Sequence, residues 1–224
     1  MEADVQDRQG QQVTGFSLVY PALYNGPVNY FARLIRESEI VLEQFDSYTK
    51  QTYRNRCRIM GPNGVLTLSI PVKKRRGVKN LFRDIRIDYD AAWNKIHWRS
   101  LVASYAASPY FEFMKDDLVE FYERRYDFLL DFNARLLDRI LYSLGLNIPI
   151  GYSREFSEIK EITDPRHFIL PKVNLAESDP EFIPVEYHQV FSDRRGFQAN
   201  LSILDLLFNE GPATLSILRE SLRT

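Results

Sequence analysis

The sequence has little of what covalent or metal-based chemistry requires: it contains one cysteine and three histidines. One cysteine cannot form an internal disulfide, and it excludes a zinc site built from cysteines. No two histidines have the spacing of a metal-ligand pair, so no metal site is predicted. The glycines form neither a Walker A loop nor a dinucleotide-binding fingerprint, and there is no Gly-x-Ser-x-Gly motif. The sequence therefore identifies no cofactor.

Long apolar runs are missing as well. No stretch approaches the roughly 18–20 apolar residues that a membrane span requires. The N-terminus, "MEADVQDRQGQQVTG", is polar and has neither the basic start nor the apolar centre of a signal peptide. These features predict a cytoplasmic protein without a membrane span. They give no indication of its oligomeric state.

The composition is that of a folded protein. The chain has 224 residues, of which 45% are hydrophobic and 26% are charged, and this length suffices for one large domain. We expect residues 1–15 to be disordered or extended and residues 16–224 to form a single α/β domain. A mixed sheet from the N-terminal half should pack against a helical middle segment, residues 90–145, and an irregular C-terminal region should complete the fold.

The first ninety residues show strand patterns. "FSLVYPAL" and "EIVLEQF" flank the helical pattern "VNYFARLIRES", which begins after Pro27. This order predicts a β-α-β unit with parallel strands. In "YRNRCRIMGPNGVLTLSIPV", two alternating runs flank "GPNG", which predicts a β-hairpin. "LFRDIRID" is predicted to form a further strand.

The middle of the chain shows helical periodicity. Asp90 is predicted to cap the helix "AAWNKIHWRSLVASYAA". Four of its residues recur at intervals of four and should share one face: Trp93, His97, Leu101 and Tyr105. One long helix is predicted from about Asp116 to Leu144. Near the end of the chain, "ANLSILDLLFNEGP" predicts a short helix with Asn200 as N-cap and Gly211 as terminator.

Positive charge is concentrated in one segment. The segment from Lys50 to Ser100 contains thirteen Lys and Arg but only three Asp and no Glu. Its net charge is therefore +10, in a chain whose total charge is −1. Such segregation creates a local positive field and predicts an anionic partner. Nucleic acid is the less favoured partner, because the chain has a pI of about 6.3 and contains no known nucleic-acid-binding motif.

The stretch "QTYRNRCRI", Gln51–Ile59, alternates arginines with other residues. As a strand, it would carry on one face Arg54, Arg56 and Arg58. The opposite face would carry Tyr53, Asn55, Cys57 and Ile59. Arginine forks bind phosphate and carboxylate, so the first face is a candidate anion site, and the alternative is a solvated edge strand. Both faces could serve one site only if the strand twists or bulges.

Two residues are candidates for chemistry. Cys57 lies among arginines that would favour its thiolate, although a single cysteine in a strand is more often a small buried residue. His97 lies between Lys95 and Arg99, whose charge would keep the imidazole neutral and able to act as a base. The alternative for His97 is a helix histidine that packs between Trp93 and Leu101.

Four stretches together resemble the WbqC-like family: "QTYRNRCRI", "LTLSIPVKK", "IRIDYDAAWNKIHWRSLVASYAASPYF" and "NLSILDLLFNEGP". The resemblance extends from about Leu18 to Gly211. The residues that fall on its motif positions are Asp46, Asn55, Arg56, Trp93, His97, Tyr105, Pro109, Tyr110 and Phe111. Cys57 falls at a position where other members can carry a different residue, which argues against an obligatory cysteine nucleophile.

The resemblance implies a role in making or decorating activated sugars for bacterial surface polysaccharide, including O-antigen. We expect transfer of an acyl or aminoacyl group to the amine of a nucleotide-linked sugar, with the nucleotide sugar and the acyl donor as anionic partners. The expected catalytic residues are His97 as base, with Asn55 and Tyr105 to orient the sugar or stabilise an oxyanion. The expected substrate-binding residues are Arg54, Arg56, Arg58, Tyr53, Trp93 and Tyr110. Asp46 and Cys57 are further candidates.

Enzymatic activity itself does not follow from the sequence. The alternative is a non-catalytic anion-binding or scaffold protein that uses the basic segment to recruit its partner.

Overall fold

The structure, a computed structural model, describes residues 5–6, 12–13, 18–74, 77–156, 158, 164–171 and 175–223. The predicted disordered or extended stretch 1–15 lies outside these residues, except for two short strands. Arg75 and Arg76 of the basic segment also lie outside them.

Nine strands are described: β1 (Val5–Gln6), β2 (Gln12–Val13), β3 (Val19–Pro21), β4 (Ile40–Glu43), β5 (Arg56–Gly61), β6 (Gly64–Ser69), β7 (Val72–Lys73), β8 (Arg86–Ile87) and β9 (Ile150–Tyr152). The helices of the described residues are α1 (Val28–Leu34), α2 (Trp93–Tyr105), α3 (Phe111–Glu123), α4 (Leu129–Ser143), α5 (Pro165–Phe168), α6 (Leu175–Ser178), α7 (Ser192–Arg195), α8 (Ile203–Glu210) and α9 (Thr214–Glu220). Two short 3-10 helices, Phe82–Asp84 and Gly211–Ala213, complete the described elements. The fold is therefore α/β with a mixed sheet, as the sequence predicts.

The main sheet has the strand order β2-β1-β9-β4-β3. β3, β4 and β9 are parallel, whereas β1 pairs antiparallel with β9 and β2. The predicted β-α-β unit is confirmed, because α1 connects the parallel strands β3 and β4. The strands β3 and β4 are buried along their whole length, which is typical of parallel strands covered on both faces.

A hairpin formed by β5 and β6 lies outside the main sheet and packs against α2. Its turn is Pro62-Asn63, between the paired glycines Gly61 and Gly64, as the "GPNG" pattern predicts. Gly64 has a φ of 112°, a backbone conformation open to glycine and strained for other residues. Of the further strand predicted in "LFRDIRID", only Arg86–Ile87 forms a strand, which pairs with β7; Phe82–Asp84 is a 3-10 helix.

The helical middle segment differs from the prediction in one respect. The single helix expected from Asp116 to Leu144 is two helices, α3 and α4, separated by extended backbone at Arg124 and Phe128. The reason is a tertiary pairing: Ile87 N donates to Asp127 O at 3.0 Å, and Leu129 N donates to Ile85 O at 2.9 Å. Helical backbone could not make these bonds.

Two predicted caps are also wrong. The helix α2 begins after Ala92 without a side-chain cap, because the Asp90 carboxylate lies 3.3 Å from Lys73 Nζ instead. Ser202, rather than Asn200, caps α8 through a bond from Leu204 N. The Asn200 side chain accepts a bond from Asn29 N at 2.9 Å.

Candidate functional site

The arginine-rich stretch is a strand only from Arg56 onwards. Residues 51–55 form turns, and Gln51 has a φ of 64°. The prediction that Arg54 shares a face with the other two arginines is therefore wrong. Arg54 is 8% exposed, forms an ion pair with Asp46 and lies over the ring of Phe82. Its charge is balanced within the protein.

Arg56 and Arg58 do share a face of the hairpin. Their Cα partners on β6 are Ser69 and Thr67, which alternate in the same way. The turn before β5 also places Tyr53 beside Arg58, and the two side chains are hydrogen-bonded. In an ideal strand the side chains of Tyr53 and Arg58 would point in opposite directions. The turn before β5 departs from this geometry and allows both side chains to lie on one side of the hairpin.

Asn55, Arg56 and His97 each have a neighbour in Ser69 or Ile70 at the open end of the hairpin. Asn55 is fixed to Ile70 by two hydrogen bonds, from its Nδ2 to Ile70 O at 2.8 Å and from Ile70 N to its carbonyl at 2.7 Å. The adjacent Ser69 is the strand partner of Arg56. The backbone of this same Ser69 lies beside the ring of His97 and raises the pKa of the imidazole against the larger, lowering effect of burial. Residues forty positions apart thus have neighbours in the same short stretch.

A chain of buried hydrogen bonds continues from His97 into the protein. The hydroxyl of Tyr24 lies 2.9 Å from His97 Nδ1 and 3.1 Å from the Tyr122 hydroxyl. Asn25 Nδ2 donates to that Tyr122 hydroxyl at 3.1 Å. We call these four residues, Tyr24, Asn25, His97 and Tyr122, the Tyr–His network. Trp93 closes one side, with its ring centroid 5.1 Å from that of His97.

Burial lowers the pKa of His97 from 6.5 to about 4, and the backbone of Ser69 opposes this shift only in part. The imidazole is therefore neutral at neutral pH, as predicted from the sequence, although the cause is desolvation rather than the charges of Lys95 and Arg99. The tautomer of the imidazole decides whether Nδ1 accepts from the Tyr24 hydroxyl or donates to it.

Several buried polar atoms of the predicted site residues have no hydrogen-bond partner among the described residues. They are Asn55 Oδ1, Arg56 Nε and Trp93 Nε1, and only Trp93 packs directly against His97. A fourth, Asn25 Oδ1, belongs to the Tyr–His network. Because leaving a buried donor or acceptor unpaired costs roughly 1–3 kcal/mol, such a group of atoms indicates a place where water or a ligand supplies the missing bonds.

Cys57 lies on the buried face of β5 and is 0% exposed. Burial raises the pKa of its thiol to about 12, and a hydrogen bond from Asn25 offsets this only in part. The thiol is therefore protonated at neutral pH, and the arginines beside it in the sequence do not favour its thiolate.

Two predicted site residues lie elsewhere. The Tyr105 hydroxyl donates to Asp205 Oδ1 at 2.8 Å and accepts from Met60 N at 3.2 Å, deep in the core. Burial raises the pKa of Asp205, and three hydrogen-bonding side chains, Tyr187, Tyr105 and Gln189, oppose that shift. Tyr110 packs its ring against Gly211. Neither tyrosine joins the His97 group.

Sequence reasoning missed several polar residues. Tyr24 and Asn25 belong to "YNGP", a run of residues typical of a turn, and Tyr122 belongs to the apolar face of a helical pattern. A second buried charge cluster was also missed: Arg166 binds Asp164 at 2.6 Å and lies 3.6 Å from Glu43 at the end of β4. The pattern "DPRH" contained an Asp N-cap signal for α5 but no sign of the contact with Glu43.

The described residues contain neither a metal-binding cluster nor a membrane-spanning helix. Within those residues, no group of three or more His, Cys, Asp or Glu is placed to hold a metal ion. None of the helices in the described part of the chain is long and apolar enough to cross a membrane.

Comparison with known proteins places the chain in a family. It is 27% identical over 216 residues to the uncharacterized protein Rv1507c of Mycobacterium tuberculosis, an alignment that covers 85% of this chain and 91% of the relative. No solved structure matches the chain. Residues 23–167, which include the whole Tyr–His network as well as Asn55 and Arg56, match the WbqC-like protein family. The chain therefore belongs to the WbqC-like family.

Proposed function

We propose that this protein transfers an acyl or aminoacyl group to the amine of a nucleotide-linked sugar during synthesis of bacterial surface polysaccharide. Membership of the WbqC-like family suggests at most a role in polysaccharide biosynthesis; the transfer reaction and its substrates are the proposal. The site is the open end of the β5–β6 hairpin, where Asn55, Arg56 and His97 each have a neighbour in Ser69 or Ile70.

The observation that carries the proposal is the set of unpaired atoms of the predicted site residues, together with a neutral histidine. Asn55 Oδ1 is an acceptor and Arg56 Nε is a donor, and each lacks a partner among the described residues. A sugar amine offers N–H donors to the first, and a phosphate offers acceptors to the second. A nucleotide-linked amino sugar supplies both groups in one molecule.

The proposed reaction divides the work among these residues. Arg56 binds the diphosphate, and Arg58, on the same face of the hairpin, is the second arginine because Arg54 is engaged by Asp46. Asn55 orients the amine. The amine nitrogen bonds to the acyl carbon, the bond from that carbon to its carrier breaks with its electron pair going to the carrier, and the amine loses a proton.

The lost proton goes to His97. In the proposed tautomer the acceptor nitrogen is Nδ1, which is reached through the hydroxyl of Tyr24, so Tyr24 passes its own proton to Nδ1 and takes one from the amine. The charge of a bound diphosphate raises the pKa of a nearby imidazole, which favours this uptake when substrate is present.

The second candidate is a non-catalytic anion-binding protein. One observation favours it: His97 is 4% exposed and its Nδ1 is already hydrogen-bonded to Tyr24, as in a histidine whose role is structural. In this case the basic segment binds the anion and no group is transferred.

The test measures turnover and binding separately. Purified protein is incubated with nucleotide-linked amino sugars and activated acyl donors, the product is detected by mass spectrometry, and sugar binding is measured by thermal shift. We expect His97→Gln to abolish product with little change in binding, Arg56→Ala to weaken binding, and the control His188→Gln, at an exposed histidine, to change neither. Full turnover in His97→Gln would refute the mechanism. Binding without product from any donor would favour the second candidate.

A further inference from the structure

A pocket of about 320 Å³ lies between α2 and α3, outside the Asn55–Arg56–His97 site. Its lining includes Lys95, Trp98, Arg99, Val119, Tyr122 and Glu123. Its volume is at the lower end of the range for small-molecule sites, which suits a ligand of mononucleotide size. We call it the α2–α3 pocket.

The charges of this pocket are unbalanced. Lys95 and Arg99 lie one helical turn apart on α2, both are exposed, and neither forms an ion pair with a described residue. Among the other cations of the helical segment, three form such pairs: Lys115 with Glu112, Arg124 with Glu120 and Arg139 with Asp117. The exposed Arg125 and Arg135 form none with a described residue, but neither lies in the pocket lining. Two unpaired cations about 5–6 Å apart at their Cβ atoms form a suitable site for one phosphate group.

One wall of the pocket is aromatic and rigid. Trp98 is half-buried, and its ring packs against Tyr122 at 5.6 Å and against Phe111 at 6.1 Å between centroids. These contacts hold the indole in place, so a flat ring can pack against it without ordering a mobile side chain. Glu123, also in the lining, supplies a carboxylate acceptor for the hydroxyl groups of a ligand.

From this combination we infer that the α2–α3 pocket binds a nucleoside monophosphate. Its phosphate lies between Lys95 and Arg99, its base packs on Trp98, and its sugar hydroxyls donate to Glu123. The inference goes beyond the proposed function, because this site requires neither His97 nor any transfer of a group.

Isothermal titration of the full chain with AMP and UMP at moderate salt tests the inference, with adenosine and inorganic phosphate as separate arms. We expect each mononucleotide to bind more tightly than either fragment. Arg99→Ala should weaken this binding roughly tenfold or more, because it removes a charge-assisted hydrogen bond. Val119→Trp, which fills the pocket, should abolish it. The matched control Arg135→Ala removes an exposed cation that lies outside the lining and should leave binding unchanged.

Three outcomes would overturn the inference: unchanged binding in Arg99→Ala, equal binding of inorganic phosphate and mononucleotide, or binding of every polyanion that disappears with salt. The variant His97→Gln separates this result from the proposed function. It should bind mononucleotides as the wild type does, whether or not it transfers an acyl group.

Discussion

The hydroxyl of Tyr24 lies 2.9 Å from Nδ1 of His97 and is hydrogen-bonded to it, and the two rings stack with their centroids 5.6 Å apart. The two residues are 73 positions apart in the chain, so their contact ties the loop after β3 to α2. The tyrosine is therefore both a structural link and, in the proposed reaction, the route to the base.

The hydrogen bonds of Tyr24 and Tyr122 should be energetically coupled, because their hydroxyls bond to each other. We expect Tyr24→Phe and Tyr122→Phe each to cost about 1 kcal/mol of unfolding free energy. The double variant should cost less than the sum, by about 0.5 kcal/mol or more. Urea unfolding of the wild type, the two single variants and the double variant measures these free energies. Tyr142→Phe, at an exposed tyrosine, is the control and should cost nothing. Strict additivity would show that the bond between the two hydroxyls contributes no stability.

Acid should destabilise the protein through His97. The pKa of this residue is about 4 in the folded protein and near 6.5 in the unfolded chain. Between these values the unfolded chain binds the proton more readily, so stability is complete above pH 6.5 and is lost as the pH falls towards 4. The loss of unfolding free energy should reach roughly 3 kcal/mol.

Urea unfolding of the wild type and of His97→Gln across this pH range isolates the contribution of His97. The carboxyl of Asp205, whose pKa is raised by burial, titrates in both proteins and cancels in the comparison. The curve of His97→Gln should be flatter than that of the wild type, whereas His188→Gln should retain the wild-type slope. Parallel curves for the wild type and His97→Gln would mean that His97 titrates normally in the folded protein.

Local patterns in the sequence predict much of the fold. The alternating residue pattern and the "GPNG" turn predicted the β5–β6 hairpin. The order strand-helix-strand predicted the parallel pair β3 and β4. The failures have tertiary causes. Helical periodicity continues across residues 124–128, but their backbone pairs with Ile85 and Ile87. Sequence periodicity does not report a pairing with residues forty positions away.

The site was predictable to a similar extent. His97, Asn55 and Arg56 could be named because their types suit proton transfer and anion binding, and their joint role in one site stays a prediction. Arg54 was assigned to the same face because the strand was assumed to begin at Gln51. Its partner Asp46 lies eight residues earlier, and only the turn at residues 51–55 brings the two together.

Cys57 should be unreactive in the folded protein, since its thiol is buried and its pKa is raised to about 12. A thiol reagent at mildly alkaline pH should label it slowly in the native protein and rapidly in guanidinium, because only the thiolate is nucleophilic. Cys57→Ala should lose about 1–2 kcal/mol of stability through the cavity it leaves but should keep any transfer activity. Native labelling as fast as in the unfolded chain would return Cys57 to the list of candidate nucleophiles.

Gly211 should tolerate no side chain, because the ring of Tyr110 occupies the space. A Cβ on Gly211 would lie 2.6 Å from Cγ and from Cε1 of Tyr110, and the residue has a φ of 50°. The backbone of Tyr110 is fixed by a 2.9 Å bond to Phe208 O, so the ring has to be displaced. We expect Gly211→Ala to cost roughly 3 kcal/mol from the clash and the backbone strain together.

Gly196→Ala is the matched control for this substitution. Gly196 has a φ of 68° but nothing within 4 Å of its added Cβ, so the variant carries the backbone strain alone and should cost about 1 kcal/mol. Removal of the ring provides the decisive comparison: in a Tyr110→Ala background, Gly211→Ala should cost no more than Gly196→Ala does. Urea titration measures the unfolding free energy of each of these variants. A full penalty that persists without the ring would mean that the backbone of α8 and its C-terminal turn, rather than Tyr110, requires glycine at this position.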